Sequence, residues 1–167
     1  MRRTFAQVDD SLIERVFQPL ADTLADRLGM DRFAAACVCV DIASVGCIVS
    51  QARSLAAGLL SWDAGGPWLR VALLLMGLVA LASLRTLFKR VGAGGGGNSP
   101  LRLSMQPHRA VVLLMLLSRF VGIGDAGAGE LADAVMLIFA AVALYLGACA
   151  ARPPVRRSSV GITTVTA

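Results

Sequence analysis

Long apolar runs alternate along the chain with short polar or glycine-rich stretches, and the runs are the length of membrane helices rather than of strands. The first covers residues 33–50 and reads FAAACVCVDIASVGCIVS. As a helix it rises roughly 27 Å, enough to cross a hydrocarbon core of about 30 Å with little tilt. Its helix can continue through Gln51 and Arg53 to Leu60. The second run, 67–88, has no charge between Val71 and Leu84, and Trp62 and Trp68 flank its start as an aromatic belt would. The third, 109–123, is shorter and carries Arg119. A run of that length also fits a re-entrant or buried segment. The fourth is 132–151. The pattern predicts an all-α fold, an integral membrane four-helix bundle.

Residues 1–32 read differently. Leu12, Ile13, Val16, Phe17 and Leu20 recur at helical spacing, and Leu24 and Leu28 continue the stripe. Ser11 followed by Glu14 has the form of a capping box opening a helix, and Pro19 predicts a kink or a break into two short helices. The polar face carries Asp9, Asp10, Glu14, Asp22, Asp26 and Asp31 against Arg15 and Arg27. Helices that lie on lipid are usually basic on that face. A short amphipathic N-terminal helical segment packed on the protein's own cytoplasmic side, or on a partner, fits this acidic face better. At the other end, 152–167 opens with Pro153 and Pro154, lacks periodicity, and is expected to be a disordered cytoplasmic tail. Between the second and third runs, 91–108 holds Gly92 and Gly94 to Gly97, the composition of a flexible linker.

Composition sharpens the membrane reading. Of 167 residues, 56% are hydrophobic and 16% charged, against about 25% charged in soluble domains. The net charge of +5 does not point to nucleic acid, because the positives sit at the ends of apolar runs instead of gathering on one polar segment. Met1-Arg2-Arg3 is a basic start with no apolar core behind it, so no cleavable signal peptide is expected and the first run serves as a signal-anchor. Arginine far outnumbers lysine, Lys89 being the sole lysine, which with abundant Ala and Gly suggests a bacterial source.

The basic residues also orient the chain. Arg2, Arg3, Arg15, Arg27 and Arg32 precede the first run. Arg85, Lys89, Arg90, Arg102 and Arg109 fall between the second and third, and Arg152, Arg156 and Arg157 follow the fourth. Only Arg53, Arg70 and Arg119 fall toward the other side. The positive-inside rule then predicts four spans of an inner (cytoplasmic) membrane, with both termini and the glycine-rich loop in the cytoplasm.

Two charges stand inside apolar runs. Asp41 lies near the middle of the first and Arg119 in the third, at matching depths if both runs start from the same side. Intramembrane charges face the bundle interior and pair, so an Asp41–Arg119 ion pair is expected. The alternative has Arg119 snorkelling outward and Asp41 neutral or hydrogen-bonded to Ser44. Small residues recur every fourth position as Ala35, Cys39, Ala43 and Cys47, and again as Ala143, Gly147 and Ala151, two faces suited to close helix packing.

Other motifs lack their chemistry. Cys37 and Asp41 share a helix face, but Cys39 points about 160° away, so no metal site converges. Cys37, Cys39, Cys47 and Cys149 are expected to act as small buried hydrophobes without disulfides. Gly122 to Gly127 matches GxGxxG in letters but follows a membrane run instead of a strand, and the glycines at 94–97 lack the Lys and Ser or Thr of a phosphate loop. His108 is alone, without a second group for acyl transfer or zinc chemistry. The sequence therefore predicts no catalytic residues, no metal and no cofactor. It predicts the lipid bilayer and a membrane-protein partner or homo-oligomer as partners, with no nucleic acid. The expected function is that of a non-enzymatic accessory or scaffolding subunit. The alternative is a small oligomeric transporter or channel component with Asp41 as its ion- or proton-coupling group.

Overall fold

A computed structural model of the chain describes residues 2–61, 66–94, 101–121 and 128–150, almost all of them helical. In chain order these are α1 (Arg2–Leu12), a π-turn (Ile13–Phe17), α2 (Gln18–Leu28), α3 (Arg32–Ser61), α4 (Gly66–Ala93), α5 (Leu101–Ser104), α6 (Gln106–Val121) and α7 (Ala128–Ala148). The tail 152–167, Trp62, Ala151, the glycines at 95–97 and the Gly122–Gly127 motif lie outside the described residues.

Among the described residues three helices are long and apolar enough to cross a membrane: Arg32–Arg53 within α3, Trp68–Ala93 within α4 and Glu130–Ala148 within α7. The third run of the sequence becomes α6, which has 16 residues and rises only about 24 Å. It falls short of that length.

α3 is the centre of the structure. It packs along α7 for most of its length and along α4 on another face, while α6 packs on α7. Small residues allow the close approaches. A Cβ added to Gly46 of α3 would lie 3.2 Å from the Met136 Cβ of α7, and one on Gly77 of α4 would lie 3.2 Å from the Cys47 sulfur. Ala36, Val40, Ala43 and Phe88 are fully buried in the resulting core. The Phe88 ring lies where a Gly147 side chain would be, its Cε1 only 2.4 Å from the position of a Cβ there. Since α3 and α6 run one way and α4 and α7 the other, the bundle has two ends. The proximal end holds α1, α2, the start of α3 and the end of α7; the distal end holds the end of α6 and the start of α7.

The N-terminal segment departs from its expected form at its start. No helix opens at Ser11: α1 runs from Arg2 through Leu12, and Glu14 is engaged elsewhere, as described below. Near Pro19 the segment does divide into two short helices, α1 and α2, and the division is a π-turn. In an α-helix the proline ring would meet the carbonyl of Arg15, and its missing N–H would leave that carbonyl unpaired. The π-turn lies immediately upstream, where the Gln18 N–H reaches the Ile13 carbonyl and the wider turn shifts the register, so Pro19 falls in the first turn of α2. α2 ends at Gly29, whose φ of 60° is left-handed and whose N–H returns to the Ala25 carbonyl at 3.1 Å. Asp31 then accepts the Phe33 N–H at 3.4 Å and starts α3.

The expected loop 91–108 is helical at both ends. α4 continues to Ala93, and α5 forms a turn with Leu101 buried. The glycines could be read as a linker, but Leu101 and Met105 join the core beside α7.

Candidate functional site

Charge pairs at three levels along the bundle are the structure's distinctive chemistry. At the proximal end, Arg109 at the start of α6 meets Asp9 of α1 in a two-pronged ion pair: Nε donates to Oδ1 at 3.0 Å and Nη2 to Oδ2 at 2.6 Å. Both side chains are buried, 1% and 2% exposed. Nη2 also donates to the Arg102 carbonyl at 2.8 Å, and the guanidinium lies 5.5 Å from the centre of the Tyr145 ring. Phe17 stacks on the other part of that ring, centroids 4.5 Å apart and planes 13° from parallel. Such a stack has the offset-parallel geometry that aromatic quadrupoles favour.

Around this pair the N-terminal segment closes on the end of α7. Gln18 uses its amide twice, donating to the Ala150 carbonyl at 3.0 Å and accepting the Ala150 N–H at 2.9 Å. Arg32 donates to the Cys149 carbonyl. The carbonyls of the two residues that follow α7 are thereby paired, and the arginine also meets the negative end of the helix dipole. At the rim, Arg102 bridges Asp10 at 2.9 Å and Glu14 at 3.2 Å. The Asp10 hydrogen bond, opposed by desolvation and helped by Glu14, holds the Arg102 pKa above its ordinary value. Asp9, Asp10 and Glu14 of the acidic N-terminal face thus pair with this chain's own Arg109 and Arg102.

At the distal level Arg119 pairs with Asp133 at 3.1 Å, and Ser50 of α3 also donates to Asp133. Ser50 lies eighteen residues after Arg32, about 27 Å along α3. The two outer charge levels are therefore separated by nearly one hydrocarbon thickness.

Asp41 lies midway between them. It does not meet Arg119, as the depth argument expected. Its carboxylate pairs with Arg85 of α4, with Nε 2.9 Å from Oδ1 and Nη2 2.9 Å from Oδ2. The reason is rotational. On α3, the residues that face α7 lie around Ala43, Gly46 and Ser50, whereas Asp41 projects past the α4 side, and α6 packs on α7. Depth alone could not separate the two neighbours. In sequence Arg85 groups with the basic residues of the loop that follows, yet it lies eight residues inside the end of α4, and an antiparallel neighbour brings it level with Asp41. The pair is only partly enclosed, with Arg85 43% and Asp41 51% exposed. It borders a cavity of about 400 Å³ lined also by Asp31, Cys37, Phe88 and Lys89.

Of the two small-residue faces, Ala35, Ala43 and Cys47 are buried and Cys39 is partly so; Ala143 is buried and Gly147 lies against Phe88. A second cavity, about 580 Å³, opens between α4 and α6 and is lined by Leu81, Leu84, Leu87, Val111, Val112 and Leu144, with His108 at its edge. Its wall is apolar apart from His108 and Ser83, whose hydroxyl donates to the Val79 carbonyl at 2.7 Å, and no acid lines it. Among the described residues no cluster of His, Cys, Asp or Glu converges as a metal site.

Comparisons with protein families, curated proteins and solved structures find no match to this chain.

Proposed function

We propose that the protein is a non-enzymatic accessory or scaffolding subunit of a membrane assembly, docking on other membrane helices through the face shared by α3 and α4. The observation that carries this reading is the half-exposed Asp41–Arg85 pair, midway along helices long and apolar enough to cross a bilayer. A charged residue at the centre of a membrane helix costs about 2.5–3.5 kcal/mol on insertion scales, and such residues normally face protein or a water-filled cavity. A neighbouring chain over this face would remove the pair from lipid. α4 supports the same reading, since little of its span is enclosed by this chain, and Leu75 and Ala82 are exposed on the side that carries Arg85.

In this proposal α6 is a fourth crossing. It lies beside α7 from the level of Tyr145 to that of Asp133, the two outer charge levels. Both termini are cytoplasmic, and the membrane is a bacterial inner membrane. Support comes from the gathering of Arg32, Lys89, Arg90, Arg102 and Arg109 at the proximal end. The test is gentle extraction from the native membrane, followed by native mass and a census of accompanying polypeptides. A large assembly supports the reading, and a free monomer contradicts it.

A second reading, a small oligomeric transporter or channel component, is favoured by one observation: Asp41 is a carboxylate at mid-span beside a cavity. Its coupling role requires the carboxylate to exchange Arg85 for a proton or cation. If Asp41→Asn leaves every assayed flux unchanged, that reading fails.

A further inference from the structure

The uncovered α3–α4 face carries one carboxylate and one guanidinium side by side, and that pattern is its own complement. We propose that this face binds a second copy of the same chain about a two-fold axis along the membrane normal, with Arg85 of each copy reaching Asp41 of the other. The inference deepens the accessory-subunit reading and rests on it, since it names the first partner of the docking face.

The geometry leads there in three steps. Ala34, Val38, Asp41, Val45 and Ile48 are spaced four, three, four and three residues apart on α3. That heptad spacing puts them in one stripe, as two packed helices require. The stripe faces outward: Val38, Val45 and Ile48 are 47%, 61% and 47% exposed. It is apolar except for Asp41. Beside it on α4 run Leu75, Ala82 and Arg85 at seven- and three-residue intervals. The combined surface is therefore an apolar band with the Asp41–Arg85 pair near its middle, and with Asp31 and Lys89, one acid and one base again, at its proximal end.

Second, the pair has unused capacity facing outward. Asp41 engages two guanidinium nitrogens of Arg85, whereas a guanidinium carries five N–H donors and a carboxylate about four acceptor sites. Both side chains remain about half exposed. A partner of uniform sign would satisfy one member of the pair and repel the other.

Third, a two-fold axis supplies the right partner at the right depth. In an isologous contact residue i meets j and j meets i. Two copies inserted the same way place both Asp41 residues and both Arg85 residues at one level of the bilayer. When the faces meet, left and right exchange, and each arginine approaches the other copy's carboxylate. The result is a closed ring of two Asp and two Arg, enclosed by the apolar stripes above and below. A lipid tail offers no complement to either charge.

The experiment uses full-length chains carrying two different affinity tags, co-expressed in their own membrane and extracted in mild detergent. Wild-type chains should capture each other. Asp41→Arg puts two positives on the face, and Arg85→Asp puts two negatives. Each variant should lose at least tenfold of its self-capture, while the two variants expressed together should capture each other. If the pair serves only within one chain, mixing rescues nothing. Because a charge variant can fail to fold, Val45→Trp gives an independent readout. It blocks close approach at an exposed position and should abolish capture, whereas Met76→Trp on the far side of α4 should leave capture intact.

Wild-type chains that never capture each other overturn the inference. So does capture that survives both Val45→Trp and the charge variants. Failure of the accessory reading looks different: then the chain runs as a monomer with no other polypeptide. A complex holding one copy of this chain with other polypeptides overturns the two-fold contact alone.

Discussion

Replacing Asp9 by asparagine keeps the shape of the side chain and removes its charge, leaving the Arg109 guanidinium buried without a counter-ion. Both members of this pair are almost fully enclosed, 1% and 2% exposed, so water cannot restore what is lost without opening the structure. Removing one partner of a buried ion pair costs about 3–5 kcal/mol. Arg109 keeps its bond to the Arg102 carbonyl and the Tyr145 ring, which places the expected loss near the lower end, about 3 kcal/mol. At about 2–4 °C per kcal/mol for a chain of this size, the unfolding midpoint should fall by roughly 10 °C. Asp10→Asn is the control. Its partner Arg102 is 37% exposed and also holds Glu14, so its cost should stay under about 1 kcal/mol. The assay is thermal unfolding in detergent, followed by a thiol-reactive fluorogenic dye with Cys149 as the sole cysteine. Cys149 is fully buried beside this cluster and reacts when the proximal end opens. If Asp9→Asn melts with the wild type, or no lower than Asp10→Asn, the N-terminal segment is not held by this pair.

Gly147→Ala should cost about 1–3 kcal/mol, because its Cβ would meet the enclosed Phe88 ring at 2.4 Å; the same dye assay reads it, and Phe88→Leu should recover part of the loss by making room. Gln18→Ala removes both bonds to Ala150 and should cost about 1–3 kcal/mol, seen as faster hydrogen exchange at the Ala150 amide; unchanged exchange would show that this amide is protected by something else.

The sequence displayed its membrane helices because the lipid-crossing requirement is one of length and apolarity, and both are read directly. Residues 33–50, 67–88 and 132–151 all lie within or close to helices long enough to span. The third run is short in sequence, and its described helix, α6, has 16 residues. Helix rotation was less legible. Asp41 and Arg119 were matched by depth, but α3 turns Asp41 toward α4, and pairing depends on azimuth as much as on depth. Treating Arg85 as part of the following loop hid its partner. The Asp9–Arg109 pair joins residues 100 positions apart; the sequence could show that acidic residues and arginines gather on one side, not which of them meet. The local signals at Ser11 and Glu14 are overridden because a tertiary ion pair occupies Glu14, whereas the division that Pro19 announces is present as a π-turn between two short helices.

The central claim is that protein, not lipid, covers the α3–α4 face in the membrane. The most direct measurement is oxygen accessibility of a nitroxide placed at Val45, compared with one at Met76, in native membrane. Both positions are widely exposed on the isolated chain, 61% and 65%. A Val45 label shielded from oxygen beside an oxygen-accessible Met76 label is the predicted result. Equal, high accessibility at both positions would mean that the face lies bare in lipid, and the docking account would fall with it.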